Sequence, residues 1–361
     1  MIETRPIPVV VVSGFLGSGK TTMLLRVLQH AKAAGMRASV LMNEVGSVDV
    51  DGIMVSGQAA ASMLERVTEG CLCCSKKSEL AKCLERLAEA APDVIFIELT
   101  GVANPEEIVE AMSEPQLAEQ VALHRIVTVL DAEHAIDYNS IFSTDRELVH
   151  TLRRQIEVAD LVLANKADLI SSKTAAKLDK MVRDRNAACQ LMLAVRGDVK
   201  PSLILDGIEK SPLAKPKPSF GSVRVGGVPI APTPGTRIFA SPQHTASVSA
   251  SASQPFAALQ VITKQRQSYS RVKSVTLYPG TASTVTKRSF EAFFAGRGNG
   301  CLRAKGFMPL GPGGSMLLFQ LAGKRIEWQK SDYAGEPYFV MIGIDLDHAR
   351  ISAEWEKLTK H

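Results

Sequence analysis

The stretch VVVVSGFLGSGKTTMLLRV, Val9 to Val27, decides how the rest of the chain is read. Its valines are the β-branched residues of a strand buried on both faces. Gly14, Gly17 and Gly19 then break the apolar run, and a helix is predicted over Thr21–Ala34, ending on Gly35. Strand, glycine loop and helix in this order fit G-x-x-x-x-G-K-[ST]. In such a loop successive backbone N–H groups point at phosphate oxygens, and the helix N-terminus adds positive potential. The candidate phosphate-binding residues are therefore Gly14, Gly17, Ser18, Gly19, Lys20, Thr21 and Thr22. Lys20 is expected to reach the β- and γ-phosphates as a catalytic residue, and the Thr21 hydroxyl to complete a Mg²⁺ shell.

Outward from this loop the first half of the chain alternates strand-like and helix-like segments. Further strands are predicted at Ala38–Asn43, Val94–Glu98, Arg125–Asp131 and Leu161–Asn165, each short and rich in Val, Ile or Leu. This alternation predicts an α/β fold with a doubly wound parallel sheet, whose strand ends face a ligand crevice. After about Ser211 the chain turns rich in Pro, Gly, Ser and Ala, which reads as a linker over 211–255. Strands are predicted near Val272–Tyr278, Cys301–Phe307, Met316–Leu321, Arg325–Gln329 and Tyr338–Ile344. Helices are predicted near Lys287–Ala295 and Ile351–Leu358. The expected organisation is a nucleotide-binding domain over 1–210 and a smaller C-terminal α+β domain over 256–361.

Two strand ends carry further chemistry. Asn165-Lys166-Ala167-Asp168 follows the apolar ADLVLA and fits N-K-x-D, a guanine reader. The Asp168 carboxylate can accept from both N1–H and the exocyclic amine of guanine, a match that adenine lacks. Asn165 would bond nearby and the Lys166 stem would pack on the base; taken alone, Asp168 would also serve as a helix N-cap. In PDVIFIELTG the strand ends on Glu98, and Gly101 follows at the position of a γ-phosphate-sensing glycine. Glu98 would hold the Mg²⁺ shell or polarise the attacking water, and Asp131 competes for part of that work.

Cys71, Cys73 and Cys74 lie in GCLCC. Three adjacent thiolates repel one another unless a cation bridges them, so a soft or borderline metal is the natural partner. A redox pair or inert cysteines form the other reading. Two or three thiolates with an exchangeable position suit a metal that must leave again. Cys83 shares a helical face with Leu80, Leu84 and Leu87 and is expected in the core. Glu44, Asp49 and Asp51 in NEVGSVDVDG suit a switch segment or solvated turns.

Composition narrows the class. The 42 basic and 37 acidic residues give a net charge of +5 without a dense Lys/Arg tract, and aromatics make up 5%. That supplies neither a nucleic-acid face nor stacking platforms. The N-terminus lacks a charged region followed by a long apolar one, and no stretch reaches the length of a membrane span. The expectation is a cytoplasmic protein that binds neither nucleic acid nor membrane.

GFLGSGKTT, NEVG, GCLCC, ELTGVANP, VLDAEH and NKAD, in this order, resemble the CobW-like metallochaperone GTPases, which include CobW, nitrile-hydratase activators and zinc-handling GTPases. CLRAKGF, Cys301 to Phe307, is similar to the signature of that family's C-terminal domain. The resemblance implies a SIMIBI-type P-loop GTPase domain, GTP and Mg²⁺ as cofactors, and hydrolysis coupled to metal occupancy. It implies that Cys71, Cys73 and Cys74 bind the metal, Zn²⁺ with Co²⁺ or Fe as alternatives, and that His134 is a ligand. It implies a client metalloprotein as partner, and the sequence leaves room for a homo-oligomer. The chain departs from the family where Ser47 replaces a glutamate, where a His-rich tract is missing, and where LAVRGD stands in place of a Ser-Ala base contact. Rival readings are a regulatory GTPase with a purely structural metal and a thiol-redox ATPase.

Overall fold

The computed structural model describes residues 5–43, 63–67, 77–101, 103–139, 146–210, 270–279, 285–295, 297, 300–311, 314–322 and 325–359. The segments holding Glu44–Gly52, GCLCC and the expected linker lie outside the described residues.

A seven-stranded sheet runs in the order β3-β2-β4-β1-β5-β6-β7, with every neighbouring pair parallel. Its strands are β1 (Ile7–Ser13), β2 (Ala38–Asn43), β3 (Met63–Val67), β4 (Val94–Glu98), β5 (Val121–Asp131), β6 (Leu161–Asn165) and β7 (Gln190–Leu193). The central strand β1 is buried from Pro8 onward, with Val9, Val10 and Val11 at 0% exposure, because helices cover both of its faces. Val9 and Val11 pack in one core with Leu84, Leu87 and Ile108. Val10 and Val12 pack in another with Leu24, Val27 and Leu28. The doubly wound parallel sheet expected from the alternation is therefore what the chain forms.

Two strands were not anticipated. β3, MLERV, and β7, QLML, are the two edges of the sheet. An edge strand has only one neighbour and tolerates polar residues, so neither carries the continuous apolar run that marks the buried strands.

Around the sheet lie α1 (Lys20–Ala33), α2 (Lys77–Glu89), α3 (Pro105–Met112), the short α4 (Ala135–Tyr138), α5 (Arg146–Val158), α6 (Ser172–Arg183) and α7 (Ser202–Leu205). α2 turns Leu80, Cys83, Leu84 and Leu87 into the core, as their spacing predicts.

The second sheet is five-stranded and antiparallel, ordered β11-β10-β9-β12-β8. It comprises β8 (Val272–Leu277), β9 (Cys301–Met308), β10 (Leu317–Ala322), β11 (Arg325–Lys330) and β12 (Tyr338–Ile344), with α8 (Lys287–Ala295) and α9 (His348–Thr359). Strand alternation divides its side chains between two cores. Phe319, Phe339 and Met341 pack with Phe290 and Trp355 of the two helices. Val272, Leu302, Val340 and Ile342 join the core that holds Ile108 and Met112 of α3. Burial pushes the Cys301 thiol up to about 12, so this cysteine is an inert part of the core. Among the described residues no helix is long and apolar enough to cross a membrane.

Candidate nucleotide and metal site

Parallel strands deliver their carboxyl ends to one edge, and β1 lies where the connections diverge to either side. Register then sets the neighbours: Val12 lies beside Glu98, Ser13 beside Thr128, and Asp131 beside Asn165. The phosphate loop, Glu98, Gly101, Asp131 and the N-K-x-D turn all leave this edge. β3 ends at it too, nine residues before α2 begins, and Cys71, Cys73 and Cys74 belong to that intervening stretch.

The loop itself needs its glycines. Gly14 has φ 131° and Gly19 φ 99°, both in the region that favours glycine. A Cβ on Gly14 would lie 2.1 Å from the Val129 carbonyl oxygen, and one on Gly19 would lie 2.3 Å from Asn165 Nδ2. Gly19 caps α1 without a side-chain hydrogen bond, and the first turn of the helix carries no acidic residue. The N-terminal N–H groups of α1 thus meet neither a side-chain cap at Gly19 nor a local carboxylate, the arrangement that suits an anion. Lys20 is buried at 7% exposure, and its Nζ donates to the Phe15 carbonyl at 3.1 Å.

Thr21 Oγ1 donates to Glu98 Oε1 at 2.7 Å. The structure therefore joins two residues separated by 77 positions, on the loop and on the β4 end. A hydroxyl and a carboxylate beside a phosphate loop form an all-oxygen donor set, which fits Mg²⁺. Gly101 presses on the same loop, since a Cβ there would sit 2.6 Å from the Leu16 nitrogen.

Asn165 does something that its motif alone does not reveal. Its Nδ2 donates to the Ser18 carbonyl at 2.8 Å, and its Oδ1 accepts from the Gly197 N–H at 2.8 Å. Buried at 3% exposure, it ties the phosphate loop to the turn after β7. That turn is the LAVRGD segment, with Arg196 and Gly197 both at positive φ. Lys166 is also left-handed, at φ 63°, and its Nζ lies 2.6 Å from Asp131 Oδ2. Asp168 lies in the short 3₁₀ turn Ala167–Leu169 and is exposed. Leu169 and Val195 are exposed nearby in sequence to the two turns, at 57% and 42%.

His134 Nδ1 is 3.3 Å from Asp131 Oδ2, and its ring stacks on Tyr138. Burial favours the neutral acid at Asp131, but hydrogen bonds from Lys166 and His134 and the Lys166 charge hold it below the usual carboxylate value. Asp131, Glu133 and His134 bring their ligand atoms within 4.8 Å of one another, a group able to hold a metal ion. Glu133 was passed over in the sequence, although DAEH places it beside His134. The three cysteines of GCLCC lie outside the described residues.

Residues 8–192 match the CobW/HypB/UreG nucleotide-binding domain, and residues 274–359 match the cobalamin synthesis protein CobW C-terminal domain. The chain belongs to the CobW/HypB/UreG family. It is 32% identical over 225 residues to a protein named zinc chaperone CobW from Sinorhizobium sp., covering 55% of this chain and 62% of that one. It is 32% identical over 211 residues to zinc-regulated GTPase metalloprotein activator 1 of Schizosaccharomyces pombe, covering 56% of this chain and 49% of that one. The matches thus span about half to six-tenths of these relatives' lengths. Among solved structures, Zn(II)-bound YjiA GTPase from E. coli aligns with 98% of this CobW-family chain and 99% of its own, at 21% identity and a TM-score of 0.44.

Proposed function

We propose that this CobW-family protein is a GTP-dependent metallochaperone, which binds a transition metal, Zn²⁺ first, and couples GTP hydrolysis to its transfer to a client metalloprotein. The observation that carries the reading is the convergence on one sheet edge of Lys20, the Thr21–Glu98 pair, Gly101 and the N-K-x-D turn. The names of the relatives, a zinc chaperone and a zinc-regulated GTPase metalloprotein activator, support the cargo.

Each residue has a task in this reading. The phosphate loop and the start of α1 bind the phosphates, and Lys20 neutralises the β,γ-bridge region as charge develops there. Thr21 and Glu98 would hold Mg²⁺, which when bound supplies charge stabilisation to the β- and γ-phosphates. Glu98 serves the metal shell because its Oε1 already lies against the Thr21 hydroxyl. Asp168 reads guanine, while Asn165 keeps the base-side turn in register with the phosphate loop. The Cys71, Cys73 and Cys74 thiolates receive the metal, with His134 as a further ligand. The connection bearing the cysteines starts at β3, next to the strand leading into the switch-like NEVGSVDVDG. Loss of the γ-phosphate then releases both segments and with them the metal.

Guanine recognition is tested by competition titration. The parent is expected to prefer GTP over ATP by at least about tenfold, and Asp168→Ala to lose most of that preference. Hydrogen bonds to a charged group contribute about 1.5–3 kcal/mol, or roughly one to two decades of affinity. Equal affinities in the parent overturn the nucleotide assignment.

Metal coupling is tested by zinc competition with GDP, with a non-hydrolysable GTP analogue, and with neither. Zinc affinity is expected to differ between nucleotide states by about 5–150-fold, with a reciprocal effect of zinc on nucleotide affinity. Cys73→Ser with Cys74→Ser is expected to abolish the tight site. Identical zinc binding in all three states favours a regulatory GTPase with a structural metal, and unchanged binding by the double variant removes GCLCC as the site.

A further inference from the structure

Gln155, near the C-terminal end of α5, is fully buried at 0% exposure and belongs to none of the sequence motifs. Its Nε2 donates to the carbonyl of Gly101 at 3.2 Å and to that of Ala103 at 3.2 Å. One amide therefore holds the carbonyls of both Gly101 and Ala103, just beyond the end of β4. Gly101 also meets the phosphate loop, with no room for a Cβ against Leu16.

The backbone of Gln155 is itself referenced to the root of the phosphate loop. Thr128 Oγ1 donates to the Gln155 carbonyl at 2.9 Å and lies 2.8 Å from Ser13 Oγ. With the Thr128 proton committed to that carbonyl, Ser13 is the donor to Thr128. Ser13 directly precedes Gly14. A buried hydrogen-bonded chain thus runs from β1 through β5 and α5 to Gly101. The adjacent Arg154 holds α3, the next element after Ala103, through Glu106 at 2.8 Å.

One detail separates this from ordinary packing. Gln155 Oε1 is buried with no hydrogen-bond partner among the described residues. A buried acceptor left unmatched is costly, and an apolar side chain of the same shape avoids that cost. For packing alone, glutamine is the poorer choice. Its amide N–H₂ is the part in use, and its use is to orient two carbonyls next to the γ-phosphate-sensing glycine.

We propose that Gln155 is a positioning residue for nucleotide hydrolysis, which presets the distance between the Gly101 and Ala103 carbonyls and the phosphate loop. The proposal rests on the GTPase reading above. Backbone held in place before nucleotide arrives does not have to be ordered on binding, so the advantage goes to the nucleotide that touches it, the triphosphate. GDP, which ends at the β-phosphate, gains nothing from it.

The test uses the full chain with Gln155→Met, and Gln155→Leu as a second apolar variant should the first fail to fold. GDP affinity, affinity for a non-hydrolysable GTP analogue, kcat and KM are measured for each. GDP affinity is expected to stay within about twofold, while the ratio of analogue to GDP affinity falls at least fivefold and kcat at least tenfold. An unchanged ratio and kcat overturn the proposal, as does an equal loss for both nucleotides, which marks a merely structural role. If the parent neither prefers guanine nor hydrolyses GTP, the functional reading falls and this inference with it. A parent that does both beside an indifferent Gln155→Met removes the inference alone.

Discussion

Lys20→Ala is expected to lower GTP turnover by two to three decades or more while leaving the fold in place. In the proposed function the lost charge is one that stabilises the transferring phosphoryl group, and a single donor of this kind carries roughly 10²–10³ in rate. The fold is expected to survive because the Lys20 ammonium donates to the Phe15 carbonyl of its own loop, a local contact. Losing that bond costs about 1 kcal/mol, so the thermal midpoint is expected to move by only a few degrees. Steady-state GTPase assays and a thermal unfolding scan check both halves. Turnover within twofold of the parent sinks the assignment of Lys20, and gross unfolding shows a structural role instead.

Arg303→Met is expected to produce the largest loss of stability, at a position outside the nucleotide motifs. Arg303, on β9, lies 2.7 Å from Glu107 and 2.9 Å from Glu110, both on α3. Arg154 of α5 holds Glu106 of the same helix. An eight-residue helix thus carries three carboxylates in largely buried pairs with arginines from two different sheets' surroundings. Removing one partner of a buried pair leaves its charge stranded and costs about 3–5 kcal/mol. Arg303 retains 19% side-chain exposure, so the lower end, about 3 kcal/mol, applies. The midpoint is expected to fall by roughly 6–12 °C. The same physics predicts partial rescue when Glu107 and Glu110 are also made leucine, because replacing a whole buried pair by apolar groups is often neutral. A shift under about 2 °C in the single variant contradicts this account.

The buried strands of the parallel sheet, the phosphate loop and the N-K-x-D turn were legible because each is a local pattern. Val9–Val12 announce a strand by β-branching, and the Gly14–Thr22 spacing announces the loop. Cys83 announces its core position through its spacing from Leu80 and Leu87. β3 and β7 were missed for an equally local reason: edge strands are half solvated, so MLERV and QLML lack the signal that buried strands must carry.

What tertiary structure alone decided is which distant residues meet. Thr21 and Glu98 share a hydrogen bond because β1 and β4 are neighbours in the sheet, although β2, β3 and α2 separate them in the chain. Asn165 proves to be a clamp between Ser18 and Gly197, a role that depends on β6 and β7 ending beside the loop. Gln155 belongs to no motif, and nothing in CLRAKGF reveals what Arg303 meets; the side-chain partners of both lie more than 50 positions away. Local patterns specify which backbone groups and side chains are presented at a strand end. Strand order and register determine which of them face one another, and those depend on long-range packing that no short window of sequence contains.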